Sequence, residues 1–243
     1  MMKFIESIKL KQSDWHGQRQ PTIAFLGDSV TYGCFGLYVD EQGVQTYMEQ
    51  DNAYHEKVKM ILNMLYPTVP ITVVNAGISG DKASAGVKRV KQQVLSFNPD
   101  LVVVCYGLND SGDGMEGISK YLSSLNIIFN IIREAGAEVI FLTPNHITQK
   151  LDVRFEESEL NAITEGIIAN KQNESLREYI NQARKLCITE NIPICDCGRL
   201  WDVLSDNDVD INNLLSNRIN HPKEKMHWMF AYELVRTMFG KCI

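Results

Sequence analysis

Five short apolar runs divide the chain, and most of them stop at a glycine or a proline. They are TIAFLG (22–27), ITVVNAG (71–77), DLVVVCYG (100–107), EVIFLTP (138–144) and IPICDCG (192–198). Each has strand length, and most are rich in valine and isoleucine. Runs without polar alternation predict strands covered on both faces, which is the situation of a parallel sheet.

Between these runs the apolar spacing changes to three and four. Ile118, Tyr121, Leu122, Leu125, Ile128, Phe129 and Ile132 form one helical face. Val87, Val90 and Val94 do the same before the third run, and Leu176, Tyr179, Ile180, Ala183 and Cys187 before the fifth. Ala231, Leu234, Val235, Met238 and Phe239 predict a closing helix, and residues 53–65 another after the first run. Strand and helix alternate from residue 22 onward, with no repeat and no Pro/Gly/Ser linker. The order predicts a flavodoxin-like three-layer α/β/α sandwich around a five-stranded parallel sheet, with right-handed crossovers. A single domain is expected over 21–243, after an N-terminal extension at 1–20. Two connections, 31–50 and 145–171, exceed ordinary length and read as pocket walls or lids.

Ligands of such sheets bind at the carboxyl ends of the strands. Four of the five runs end in polar clusters: Gly27-Asp28-Ser29, Asn75 to Asp81, Gly107-Leu108-Asn109-Asp110 and Thr143-Pro144-Asn145. These share one rim. A serine there becomes a nucleophile only if a base takes its proton, and the charge it builds on a carbonyl oxygen needs donors fixed beforehand. Of five histidines, His16 lies in the extension, His55 at a helix start, His146 at the head of a long connection and His227 in the last helix. His221 precedes Pro222, which holds the chain extended just before the closing helix, so His221 is the best-placed base. Asp28 is expected to hold the turn by accepting backbone hydrogen bonds.

The blocks GDSV, NAGISGD, GLND and NHP, in this order, resemble the SGNH (GDSL-type) hydrolases over about residues 22–240. Each block alone is weak; the four in order are specific. The resemblance implies Ser29 as nucleophile and first oxyanion donor through its N–H. It implies Gly80 as the second donor, with Gly77 the neighbouring alternative, the Asn109 amide as the third, and His221 as general base. One position departs from the family pattern. An aspartate usually stands three residues before the histidine, and here Arg218 stands there. A backbone carbonyl or Asn217 is expected to orient His221 instead, giving a Ser–His dyad; an acid among Asp206, Asp208 and Asp210 is the alternative.

What the resemblance implies is a serine esterase removing short acyl groups, acetyl above all, from a small-molecule or carbohydrate ester, with no metal and no organic cofactor. A weakly catalytic carbohydrate- or acyl-binding protein, a lysophospholipase, a thioesterase and an acyltransferase remain open. A net charge of −6 argues against nucleic acid or an anionic membrane as partner. The start, MMKFIESIKLKQSDWHG, has no apolar core of a secretory signal, so a cytoplasmic protein is expected unless a leader has been removed. The six cysteines do not form a disulfide framework and read as structural. Cys195 and Cys197 are expected on one side of a strand; Cys34 has no neighbour that would activate it. Tyr32, Trp201 and Trp228 are the aromatic residues nearest the motifs, the two tryptophans better suited to packing.

Overall fold

Every one of the five apolar runs contributes a strand to one parallel sheet. The computed structural model describes residues 1–151 and 158–240. The strands are β1 (Thr22–Gly27), β4 (Thr72–Gly77), β5 (Leu101–Cys105), β6 (Glu138–Leu142) and β7 (Ile194–Cys195), in the order β4-β1-β5-β6-β7. A separate hairpin, β2 (Cys34–Asp40) and β3 (Gly43–Met48), stands outside the sheet. The helices are α1 (Lys3–Ser13), α2 (Ser29–Tyr32), α3 (Tyr54–Leu65), α4 (Ala83–Gln93), α5 (Ile118–Glu134), α6 (Ser158–Ala169), α7 (Gln172–Thr189), α8 (Cys197–Asp206) and α9 (His227–Phe239).

Successive residues of a strand point to opposite faces, and both faces are covered. Ile23 and Phe25 of β1 join Leu101 and Val103 of β5 in a core with residues of α1, α3 and α9. Ala24 and Leu26 join Val102 and Val104 in the other core, against α4, α5 and α7. This is why the strands read as continuous apolar runs: a polar residue on either side would be buried. Each fully covered side chain contributes roughly 1.5–3 kcal/mol. The expected α/β sandwich and its five-stranded parallel sheet are therefore the fold observed. In segment 1–20, Phe4, Ile5 and Ile8 lie in the first core, and the Met2 N–H donates to the Met238 carbonyl at 2.9 Å.

Three local expectations need correction. The connection 31–50 is not a loop but mostly the hairpin, turned at Gly43 with φ of 98°. The connection 145–171 holds α6, and its residues 152–157 lie outside those described. The fifth run yields only two strand residues, because Asp196 already caps α8 by accepting from the Arg199 N–H at 3.3 Å. Cys197 thus opens a helix and does not share a strand with Cys195, although their sulfurs lie 3.8 Å apart. No helix among the described residues is long and apolar enough to cross a membrane.

The register aligns the strand ends. Gly27 lies beside Gly77 on one side and Cys105 on the other. The polar clusters that follow these residues therefore emerge at one level.

Candidate active site

Close packing at two glycines sets the position of Ser29. A Cβ at Gly27 would lie 2.1 Å from Thr31 Oγ1 and 2.8 Å from the Cys105 carbonyl oxygen. A Cβ at Gly77 would lie 2.2 Å from the Tyr32 nitrogen. Only glycine lets α2 press onto the ends of β1 and β4. Asp28 starts that helix, its Oδ1 accepting from the Val30 N–H at 3.0 Å, as its place in the turn predicts. Its other oxygen is buried without a partner, and burial pushes the carboxyl up to about 7.

Ser29 Oγ lies 3.0 Å from His221 Nε2, across 192 positions of sequence. The segment carrying the histidine is tied at several points. Leu215 and Pro222 form an antiparallel bridge, and the Ser216 N–H donates to the His221 carbonyl at 2.7 Å. Asn217 Oδ1 accepts from three backbone N–H groups, those of Ile219, Asn220 and His221, at 3.1, 3.0 and 2.9 Å. Buried Asn145, at the end of β6, donates to the Asn220 carbonyl at 2.8 Å and joins the segment to the sheet.

Neither a backbone carbonyl nor Asn217 is hydrogen-bonded to the imidazole Nδ1, contrary to expectation; Asn217 holds only the His221 backbone. His221 Nδ1 is buried with no hydrogen-bond partner among the described residues. Arg218 adopts φ of 57° within this tight turn and donates to Asn213 Oδ1 at 3.2 Å. None of the alternative acids Asp206, Asp208 and Asp210 is hydrogen-bonded to His221 Nδ1, and Asp210 accepts from the Asn212 N–H at 3.1 Å and pairs with Lys150 at 2.9 Å. Among the described residues no carboxylate stands beside this nitrogen, and burial pulls the His221 imidazolium down to about 4. The ring is neutral at pH 7 and can accept a proton at Nε2, provided that Nδ1 carries the hydrogen.

The three expected oxyanion donors differ from their neighbours in what already engages them. The Ser29 N–H opens a helix, where no intrahelical acceptor exists. Gly80, with φ of 75°, uses its N–H on no acceptor among the described residues, whereas the Gly77 N–H is already given to Asn75 Oδ1 at 3.0 Å. That difference separates Gly80 from its neighbouring alternative. The Asn109 amide spends one hydrogen on the Asp81 carbonyl at 3.0 Å and keeps a second. Asp110 accepts from the Ala83 N–H at 3.0 Å, so adjacent residues of one strand end hold the chain on both sides of Lys82.

Behind these donors lies a group that the sequence pattern hides. Arg89, almost fully buried on α4, donates to Asp81 Oδ2 at 2.7 Å, to the Gly27 carbonyl at 2.8 Å and to Tyr106 Oη at 2.7 Å. Tyr106 in turn donates to Asp81 at 2.9 Å. One guanidinium thus ties the end of β1 to the Gly80 turn. Helical spacing turns Arg89 away from the Val87–Val90–Val94 face, so the sequence pattern gave no sign of its burial.

The remaining candidates are held in other roles. Cys34 is buried, and burial pushes its thiol up to about 11. His146 pairs with Asp202 at 2.9 Å, and His227 accepts from the Tyr54 N–H at 3.0 Å. Trp201 packs with Ile211 and Leu215, and Trp228 lies against the first core. Five cysteines are free and buried; Cys242 lies outside the described residues. Among the described residues no three His, Cys, Asp or Glu side chains assemble as metal ligands.

Known proteins resemble this chain to different degrees. An arylesterase from Vibrio mimicus is 34% identical over 74 residues, which is 30% of this chain and 36% of that one. An acetylxylan esterase from Geobacillus stearothermophilus is 32% identical over 88 residues, 36% of this chain and 39% of its own length. The chain thus matches little more than a third of the length of these two relatives. In structure, a catalytic mutant of an acetylxylan esterase from Geobacillus stearothermophilus superposes with a TM-score of 0.66 at 19% identity, over 90% of this chain and 94% of that one. A lipase/acylhydrolase from Enterococcus faecalis gives 0.67 at 21%, over 91% and 96%. These two likenesses establish the common fold. The model of the GDSL-like lipase/acylhydrolase family matches residues 25–229, from the first strand to the closing helix, and by that extent the chain belongs to this family.

Proposed function

We propose that the protein is a serine esterase that removes short acyl groups, acetyl above all, from carbohydrate esters. The observation that carries this reading is the 3.0 Å contact between Ser29 Oγ and His221 Nε2. His221 takes the hydroxyl proton as Ser29 Oγ bonds to the ester carbonyl carbon. The resulting oxyanion accepts from the N–H groups of Ser29 and Gly80 and from the free hydrogen of Asn109. Collapse breaks the ester bond, and the alcohol leaves with the proton from His221. Water then attacks the acyl-enzyme by the same route and frees the acid. Each donor of this kind can be worth roughly 3–4 kcal/mol to the transition state. No cofactor enters any step.

The acyl and sugar preferences draw on a relative named as an acetylxylan esterase and on the lack of a long aliphatic belt in the sequence. The experiment is hydrolysis of p-nitrophenyl acetate and of acetylated sugars by the wild type, Ser29→Ala and His221→Ala. Turnover confined to the wild type supports the reading; equal turnover in all three overturns it. A second reading, a weakly catalytic binder of carbohydrate or acyl groups, draws on the bare Nδ1 of His221, since loss of the orienting aspartate costs a well-studied protease about ten-thousand-fold in turnover.

A further inference from the structure

We infer that the β2–β3 hairpin is a platform for a sugar ring of the substrate, next to the acyl site. The inference rests on the esterase reading above and names where the alcohol part of the ester is held.

The base of the hairpin is built into the candidate active site. Gly33, which ends α2 after Ser29, accepts at its carbonyl from the Glu49 N–H at 2.8 Å. The Phe35 carbonyl accepts from Ser216 Oγ, and the Ser216 N–H holds the His221 carbonyl. The Phe35 ring lies 4.8 Å from the His227 ring. The two strands therefore rise between the serine helix and the histidine segment.

Register then decides what one face presents. Tyr38 is paired with Gln45, and Gly36 with Tyr47. Directly paired residues and residues two apart share a face, so Tyr38, Tyr47 and Gln45 stand together. Gly36 leaves that face open: a Cβ there would sit 3.4 to 4.0 Å from Cβ, Cδ1 and Cγ of Tyr47. Both tyrosines are half exposed, at 50% each, and neither packs on another ring among the described residues. Tyr47 donates to Glu49, which also fixes its ring.

Charge selects the ligand. Glu49 is bonded to Tyr47 and Asp40 to Gln45 at 3.4 Å, Glu41 and Asp51 lie close by in sequence, and no Lys or Arg occurs between residues 20 and 56. Such a surface repels anionic lipid, nucleic acid and acidic polymers. Two rings with an apolar face, rimmed by carboxylates and an amide that accept hydroxyl hydrogens, fit a neutral polyhydroxyl ring stacked on its C–H face.

The test compares wild type with Tyr38→Ala/Tyr47→Ala on acetylated xylotetraose, acetylated cellotetraose and p-nitrophenyl acetate. The expected result is a fall of at least about tenfold in the ratio of kcat/KM on the saccharide to kcat/KM on p-nitrophenyl acetate, carried by KM. A ratio that stays constant overturns the inference. So does a change in acyl-length preference, or a wild-type dimer that the double variant dissociates in sedimentation velocity. Ser29-dependent hydrolysis of p-nitrophenyl acetate with no hydrolysis of either saccharide also overturns it while leaving the esterase reading intact. Should no ester be cleaved at all, that reading fails by itself. Tyrosine fluorescence of Ser29→Ala titrated with unacetylated xylotetraose then decides the platform: quenching lost in the double variant supports it, and no quenching overturns it.

Discussion

Replacing Arg218 with aspartate would place an acceptor three residues before His221, and the surroundings of the imidazole fix what should follow. In the wild type Nδ1 is buried and bare, and burial pulls the imidazolium from its ordinary 6.5 to about 4. That shift corresponds to roughly 3 kcal/mol against the charged ring that the proposed acyl transfer must form. Because the ring is active when neutral, kcat/KM of the wild type should be half-maximal near pH 4 and flat above about pH 5.5. A carboxylate within reach of Nδ1 raises such a pKa by about 1–3 units. Residue 218 has φ of 57°, a conformation that aspartate tolerates better than most side chains. Arg218→Asp should therefore move the acid limb up by at least about one unit and raise kcat at least about tenfold. The assay is p-nitrophenyl acetate hydrolysis from pH 3.5 to 9, with circular dichroism at each pH to exclude unfolding. A wild-type limb at 6.5 or above would refute the reasoning, since some carboxylate would then already serve the ring.

Other perturbations reach the supports of the site. Asn217→Ala strips the common acceptor from three N–H groups and should lower kcat/KM by about a hundredfold in steady-state assays, the usual cost of misplacing a reacting group by an ångström. Arg89→Met leaves the Asp81 carboxylate buried and unpaired, and urea titration should show a loss of about 3–5 kcal/mol. The Asp28 carboxyl, ordinarily near 3.8, sits at about 7 in the folded protein, so the folded state keeps a proton that the unfolded chain has lost. Stability from this group is present at low pH and lost as pH rises through 7; wild type should lose roughly 3 kcal/mol more than Asp28→Asn between pH 5 and pH 8.5, read by urea unfolding at both.

The layers of the fold were legible because burial on both faces leaves a direct mark, an unbroken apolar run. The position of His221 was legible for a related reason: Pro222 and the closing helix leave it little choice of place. What escaped is decided by contacts between distant residues. The hairpin at 34–48 alternates weakly, and its glycines read as loop residues until the register pairs Gly36 with Tyr47. The fifth run looked seven residues long, but the cap supplied by Asp196 turns its second half into helix. Arg218 was visible as a missing acid; that Asn217 gathers three backbone N–H groups and leaves the ring bare was not, because the local spacing fits either outcome. Arg89 escaped as well, because helical spacing turns it from the valine face and only the carbonyl of Gly27 and the Asp81 carboxylate explain its burial.

The most direct measurement is the intact mass of the protein after brief exposure to a fluorophosphonate at pH 7. The account predicts one adduct on wild type, mapped to Ser29, none on Ser29→Ala, and labelling of His221→Ala slowed by at least about a hundredfold. An adduct of equal yield on Ser29→Ala, or undiminished labelling without the imidazole, would contradict it.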